Sequence, residues 1–287
     1  MQSKVTIAIT GANGFLGSAL TSWFLSKGYN VIAMVRTVPK QQQSNIKYVR
    51  FDLATGSCSE NKIDADVLIH TAYIPGTDVN AFEYNVSGTR ALLKLFSPSV
   101  VKIFISSISA DADSKAIYGR QKAEIEKIFL QDNGTAIRPG LILGNGGVFG
   151  KMKTYLQKKR NIPVFNGGTQ PVQTVYVNDL AKAIEQIIVQ PLSGVFTFCE
   201  HDPVHYREFY SELCRQIGVQ PRFISIPYWV AGCLIACAKV IGITLPINRD
   251  NLEGLRNMKA HPSIEDAKRI GVIPEDYRSN LRRSLNG

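Results

Sequence analysis

Acidic residues are scarce: 23 aspartates and glutamates stand against 33 lysines and arginines, leaving a net charge of +10. A basic chain invites nucleic acid. The one dense basic run, KMKTYLQKKR (151–160), reads instead as the exposed face of a helix. Zinc-finger spacing, an aromatic RNA-binding signature and a long basic arm are all missing, so no nucleic-acid partner is expected. A general positive field suits anionic small molecules instead.

Cysteine is sparse as well. Cys58, Cys199, Cys214, Cys233 and Cys237 are odd in number and show no paired pattern. That excludes a disulfide framework and points to a reducing, cytoplasmic setting. Cys233 and Cys237 share one helix face in an apolar segment and are read as buried free thiols, so no metal site is expected. No apolar leader opens the chain, since MQSKVTIAITG runs straight into a strand. One apolar stretch has the length of a membrane span, YWVAGCLIACAKVIGITLPI (228–247). Lys239 lies inside it, and Gly242 and Pro246 interrupt it. A buried or amphipathic helix is the favoured reading and a lipid- or partner-facing patch the alternative; membrane association is not expected.

What the chain does have is rhythm. Short apolar runs at VTIAIT (5–10), VIAMV (31–35), IKYVRFD (46–52), DVLIH (66–70) and VKIFIS (101–106) predict buried strands, and TAIRPGLILG predicts a sixth. Leu16, Leu20, Trp23 and Phe24 recur at helical spacing up to Lys27-Gly28, and further helices are predicted at 84–96 and 117–131. Continuous apolar strands alternating with helices give an α/β chain, a doubly wound parallel sheet of the Rossmann type. After residue 145 the rhythm loosens. The expected division is a nucleotide-binding domain over 1–145, taking strand returns from the second half, and a smaller substrate lobe over 146–287.

Two motifs carry chemistry. TGANGFLG sets Gly11, Gly14 and Gly17 between the first strand and the first helix. Such a turn lets phosphates approach the main chain and rest on the helix N-terminus, which predicts dinucleotide binding by Gly11, Asn13, Gly14, Phe15, Leu16 and Gly17. Further on, AIYGRQKAEIEKIF places Tyr118 and Lys122 one helical turn apart, above Ile125 and Phe129 on an inward stripe. By itself that spacing fits chance better than a catalytic pair.

The G-x-x-G-x-x-G loop and Tyr118-x-x-x-Lys122 together resemble the extended short-chain dehydrogenase/reductase family, the NAD(P)-dependent epimerase/dehydratase group. Other segments match in order: FDLA, VLIHTAY, YNVSGTRALL, IRPGLILG and VQTVYVNDLAKAI, in which Asp179 begins a helix. The resemblance implies that Asp52 and Leu53 meet the adenine. It sets Thr71, Ala72 and Pro139 near the nicotinamide and its ribose. Asn85 would order a helix and a water chain. Catalysis would fall to Ser107, Tyr118 and Lys122, with Ser109 the alternative serine and Ser106 a strand-end cap. Tyr118 is the expected acid/base, its phenol pulled down by the Lys122 ammonium and the positive nicotinamide ring; Lys122 also reaches the nicotinamide ribose. The second strand ends Val35-Arg36 rather than on an acid, so NADP is favoured over NAD.

The resemblance makes a nucleotide-sugar the expected substrate and 4-ketoreduction the favoured reaction over 4-epimerisation, with dehydration behind both. Two departures bear on it. The loop between Ser107 and Tyr118 is short (108–117), and Val172 stands where a pyrophosphate-holding arginine is expected; Arg138, Lys151 or Lys153 could substitute. A non-catalytic NAD(P)H sensor or assembly protein on the same fold is the competing reading. A homodimer through 84–96 and 117–131 is also implied.

Overall fold

The computed structural model describes residues 4–76, 79–159, 161–240 and 248–286. The first half runs β1 (Thr6–Thr10), α1 (Phe15–Ser26), β2 (Asn30–Val35), β3 (Ile46–Asp52), β4 (Ser57–Cys58), β5 (Val67–His70), α2 (Val79–Leu93), β6 (Val101–Ile105), α3 (Ile117–Gln131) and β7 (Thr135–Pro139). Next come β8 (Leu141–Leu143), α4 (Gly147–Lys158), β9 (Asn161–Phe165), β10 (Pro171–Val172), β11 (Thr174–Tyr176), α5 (Val177–Val189), β12 (Gly194–Phe198) and β13 (Val204–His205). The chain finishes with α6 (Tyr206–Gln216), β14 (Arg222–Ile226), α7 (Tyr228–Val240), α8 (Arg249–Arg256), α9 (Ile264–Ile270) and α10 (Tyr277–Asn286).

Among the described residues the main sheet has eight strands in the order β12-β7-β6-β5-β1-β2-β3-β4. All neighbours are parallel except β4, which returns antiparallel to β3. Alternate side chains explain the layering. Ile7, Ile9, Val31, Ile69, Ile103 and Ile105 meet Leu20 and Phe24 of α1 and Leu180 and Ile184 of α5 on one face. Ala8, Ile32, Met34 and Leu68 point the other way toward Leu92 and Phe96, while Phe104 and Ala136 meet Ile125 and Phe129 of α3. A period of two with both faces apolar requires helices on both sides, and the chain supplies them. The strand order reverses between β1 and β5, which opens a crevice at the carboxyl ends of the strands.

The strand predicted over 46–52 and the helix over 117–131 agree with β3 and α3. The helix predicted over 84–96 instead runs from Val79 to Leu93; Leu95 and Phe96 bond back to Leu92 and Leu93 in tight turns, keeping Phe96 in the core. TAIRPGLILG is two strands rather than one. At Gly140 the chain leaves the main sheet, Leu141 N donates to Gln173 O (2.8 Å), and β8 pairs with β11. A Cβ at Gly140 would lie 2.2 Å from Gln173 O, so the crossing needs glycine.

A second apolar core joins Phe149 and Leu156 of α4 to Ile162, Val164, Phe209, Leu213 and Leu281. The helix predicted within 228–247 is α7, with 241–247 outside the described residues. It is neither wholly buried nor amphipathic. Tyr228, Ala231 and Ile235 pack on Phe165, Leu252 and Leu255. Trp229 is 74% exposed and Leu234 54%, though both are apolar. Cys233 is exposed as well, against the expectation of a buried thiol; the Cys237 side chain lies outside the described residues.

Candidate active site

Thr10 ends β1 in full burial, and the chain turns at Gly11 with φ of 66°, a left-handed conformation that favours glycine. Gly11 N donates to Met34 O (3.0 Å), fixing the turn against β2. A Cβ at Gly17 would lie only 2.1 Å from Gly11 O, so α1 can rest on the turn only without one. No side chain caps the Gly14 end of α1, and its first turn holds no acid. The first-turn N–H groups are therefore free to meet an anion in the adjoining cleft. This cleft of about 500 Å³ is lined by Gly11, Asn13, Gly14, Phe15, Leu16 and Gly17, then Arg36, Asp52, Leu53, Thr71, Ala72 and Tyr73. The cradle fits a pyrophosphate-bearing dinucleotide.

Arg36 is exposed on the rim and makes no hydrogen bond or ion pair among the described residues. Asp52 accepts the Ala54 N–H (3.0 Å). Behind the floor runs a chain of hydrogen bonds that the sequence reading did not single out. Thr89 donates its hydroxyl to Asn85 O (2.7 Å), so it accepts from His70 Nε2 (3.1 Å). His70 Nδ1 is left to accept from Thr10 Oγ1 (2.7 Å), which in turn accepts from the N–H groups of Thr71 and Ala72. One tautomer satisfies every member. Burial, and then the Lys122 charge, push His70 down to about 3, so the imidazole stays neutral.

Asn85 does not reach the cleft. Its fully buried amide ties α2 to the loop, accepting from Ile74 N (2.9 Å) and donating to Ile74 O (2.9 Å) and Ala81 O (2.7 Å). Pro139 is buried behind the site, its carbonyl accepting from Ile108 N (3.1 Å).

Ser107, Tyr118 and Lys122 come together beyond Tyr73. Ser107 hydrogen-bonds Tyr118 and accepts the Ser109 N–H (3.1 Å). Lys122 Nζ lies 5.9 Å from the Tyr118 ring centre and 4.7 Å from that of Phe104, and it donates to Ile105 O (2.8 Å). Tyr73 closes the cleft side: its ring meets Tyr118 edge-on at 5.4 Å, and its hydroxyl donates to Gln121 (2.6 Å). The expected drop in the phenol's affinity for its proton is not found. Burial holds Tyr118 above its ordinary value, with the Ser107 bond pulling the other way. Lys122 cannot do more because it is desolvated itself and is pushed down to about 7.

The short loop after Ser107 is well tied. Arg120 donates to Ser114 O (2.6 Å) and Lys115 O (3.0 Å), and Gly119 admits the Ser109 carbonyl where a Cβ would stand 2.5 Å from it. Ser106 is structural, donating to the buried Glu126. Glu126 also takes both ends of the Arg138 fork, one at 2.8 Å. Arg138 is thus spent as a substrate clamp. Val172 faces the apolar core of the lobe beside Val204 and Phe209, so its side chain offers the site nothing. Lys151 and Lys153 line a separate groove with Asn145, Gly146, Gly147, Lys158 and Lys159. Asp250, on α8, accepts the Ile117 N–H at the start of α3, and no local signal marks it, since 133 residues separate the pair.

Among solved structures, dTDP-glucose 4,6-dehydratase of Bacillus anthracis, in complex with NAD, superposes with a TM-score of 0.73 at 15% identity, covering 98% of this chain and 96% of that one. The epimerase family protein YfhF of Bacillus subtilis is 23% identical over 259 residues, 78% of this chain and 83% of the relative. Ceramide reductase of Caulobacter vibrioides is 25% identical over 236 residues, 78% and 74% of the two chains. The chain spans about a fifth of the length of the uncharacterized Mycobacterium proteins it also matches, at 25% identity over 189 residues. The model of the NAD dependent epimerase/dehydratase family matches residues 7–196, from the first strand to the last strand of the main sheet, and the chain belongs to that family.

Proposed function

We propose that the protein is an NAD(P)-dependent ketoreductase, reducing a keto carbon to a hydroxyl, with NADP favoured over NAD. The observation that carries this reading is the meeting of Ser107, Tyr118 and Lys122 at the end of the glycine-loop cleft. The nicotinamide supplies the hydride when bound. Ser107 holds the substrate oxygen and Tyr118 delivers the proton to it. A phenol held above its ordinary value is protonated at neutral pH, the form that reduction needs. Lys122 orients the ribose and the phenol. Arg36, free on the rim, is placed to pair with a 2′-phosphate, and a phosphorylated cofactor suits a reductase that releases it each turnover. That favours 4-ketoreduction over 4-epimerisation.

A nucleotide-sugar substrate is supported by the nucleotide-sugar dehydratase of the same fold and by the lysine-lined groove beside α4. A lipophilic keto compound is the second reading. It is favoured by the burial of Val172 and the pairing of Arg138, which leave the expected diphosphate clamp without a side chain, and by the relative named ceramide reductase. The division at residue 145 follows the same reading, with residues 146–287 shaping the substrate side. A homodimer through α2 and α3 is part of it too; Tyr84 and Leu130 are exposed on those helices.

The test is Tyr118→Phe, assayed by NADPH oxidation with a dTDP-4-keto-sugar and with a long-chain keto lipid. Turnover of the preferred substrate should fall by about 10²–10⁴-fold while calorimetry shows unchanged NADPH affinity. Undiminished turnover would sink the mechanism. Absence of turnover in the unsubstituted protein with either substrate, with NADPH binding intact, would favour the sensor reading.

A further inference from the structure

α7 is apolar nearly all round, yet among the described residues only one side of it is covered. The covered side carries Tyr228, Ala231 and Ile235, packed on α8 and Phe165. The other side presents Trp229, Cys233 and Leu234 to solvent, and Ile224 is exposed on the strand that leads into the helix. Single exposed apolar residues are ordinary; a run of them on one helix marks a surface that binds something.

Charge tells what that is. Arg222, Arg249, Arg256 and Lys259, in the segments before and after α7, are all exposed. Arg256 lies close enough to Tyr228 to act on its phenol. The acids of the same stretch are turned to other uses: Asp250 accepts the Ile117 N–H, and Glu253 is half-buried and accepts from Asn257. An apolar face with an exposed tryptophan, on a helix whose flanking segments carry exposed basic side chains, is complementary to an anionic bilayer surface. The indole and Leu234 would enter the headgroup boundary while the guanidinium groups meet lipid phosphates.

We propose that α7 is a peripheral docking surface for membranes containing anionic lipid. Among the described residues no helix is long and apolar enough to cross a bilayer, so the contact is one of lying on the surface. It does not rest on the reading of the active site. It does have a bearing on it, because α8 joins the docking helix to the start of α3, one residue before Tyr118.

The experiment is flotation of the full chain with vesicles of mixed phosphatidylcholine and phosphatidylglycerol, and with phosphatidylcholine alone. The chain should float with the mixed vesicles, less so in high salt, and only weakly with the neutral ones. Trp229→Glu combined with Leu234→Glu should weaken flotation by about tenfold or more. Arg222→Glu with Arg256→Glu should erase the preference for anionic lipid. NADPH binding, measured on every variant, reports that the fold is intact. No flotation of NADPH-binding protein would overturn the proposal, as would equal flotation of the apolar double variant. So would light scattering that shows a dimer which Trp229→Glu alone dissolves, for the face would then belong to a second copy.

Discussion

The glycine-loop cleft and the junction where the second lobe meets the sheet do the same job by different means. Each holds together segments that are remote in sequence. At the cleft the chain relies on what side chains leave out: Gly11 turns, Gly17 gives way, and backbone groups line the anion site. At the junction it relies on two buried side chains. Gln173 donates to Glu200 O and His261 O (2.9 Å each) and accepts from His261 N (2.8 Å). Glu200 accepts from Thr174 N (2.7 Å) and Tyr277 N (2.6 Å), bracing α10 against β11. A site made of backbone announces itself through glycine spacing. A brace made of side chains looks, in sequence, like any Gln or Glu.

Breaking the cleft should have the larger effect. Gly17→Ala puts a methyl against the Gly11 carbonyl, which has no side chain to move away. Cofactor affinity should fall by more than about a hundredfold and stability by about 3 kcal/mol, read by calorimetry and urea unfolding. Wild-type affinity in that variant would mean that α1 does not need its close approach. Gln173→Ala should cost about 2 kcal/mol by leaving the His261 N–H and two carbonyls unpaired. Its NADPH affinity should stay within about twofold, since nothing in the cleft touches it. A loss of cofactor binding in step with stability would show that the two regions are one unit.

A finer test uses pH, because Glu200 and Lys122 are buried groups poised near neutrality with opposite sign, and the neutral His70 behind the cleft titrates against the first. Desolvation raises Glu200 from 4.5 to about 7, despite the bonds from Thr174 and Tyr277, and lowers Lys122 from 10.5 to about 7. Between about pH 4.5 and 7 the folded chain holds a Glu200 proton that the unfolded chain has lost, so stability falls as pH rises. Between about 7 and 10.5 the unfolded chain holds a Lys122 proton that the folded chain lacks, so stability rises with pH. His70, lowered from 6.5 to about 3, works against Glu200 where the two windows overlap, so thermal midpoints should stay nearly flat between about pH 4.5 and 6.5 and rise above about 7. Glu200→Gln should uncover the His70 rise on the acid side alone, and Lys122→Met should flatten the alkaline rise alone. If either substitution changed both sides, this assignment of the groups would fail.

The sheet and the meeting of Ser107, Tyr118 and Lys122 were legible because their signals are largely local. Strand periodicity, the glycine triplet and the four-residue step from Tyr118 to Lys122 all lie within one or two turns of chain. That burial holds the Tyr118 phenol above its ordinary value was not legible in the sequence, because the ammonium meant to lower it is buried too. The missing arginine was visible in the sequence, but not whether Arg138 was free to stand in for it. Val172 occupies the right position in sequence but packs into the lobe core, and Arg138, though charged, is held by Glu126. Tyr73, between cleft and trio, lay inside a segment already singled out, without any mark of its own. Asp250 had no signal at all, and its importance depends on where α8 docks.

The Asp250–Ile117 bond sets an order of events in time. All residues lining the cleft are made by residue 75 of the chain, but the acceptor at the start of the Tyr118 helix follows Ile117 by 133 residues. At about 5–20 residues per second that interval is roughly 7–27 s, far longer than a helix takes to form. The nascent chain therefore carries the lining of its cofactor cradle, and the core partners of α3, while the first turn of that helix still lacks its Asp250 acceptor. The start of α3 is completed only by a residue from the last third of the chain.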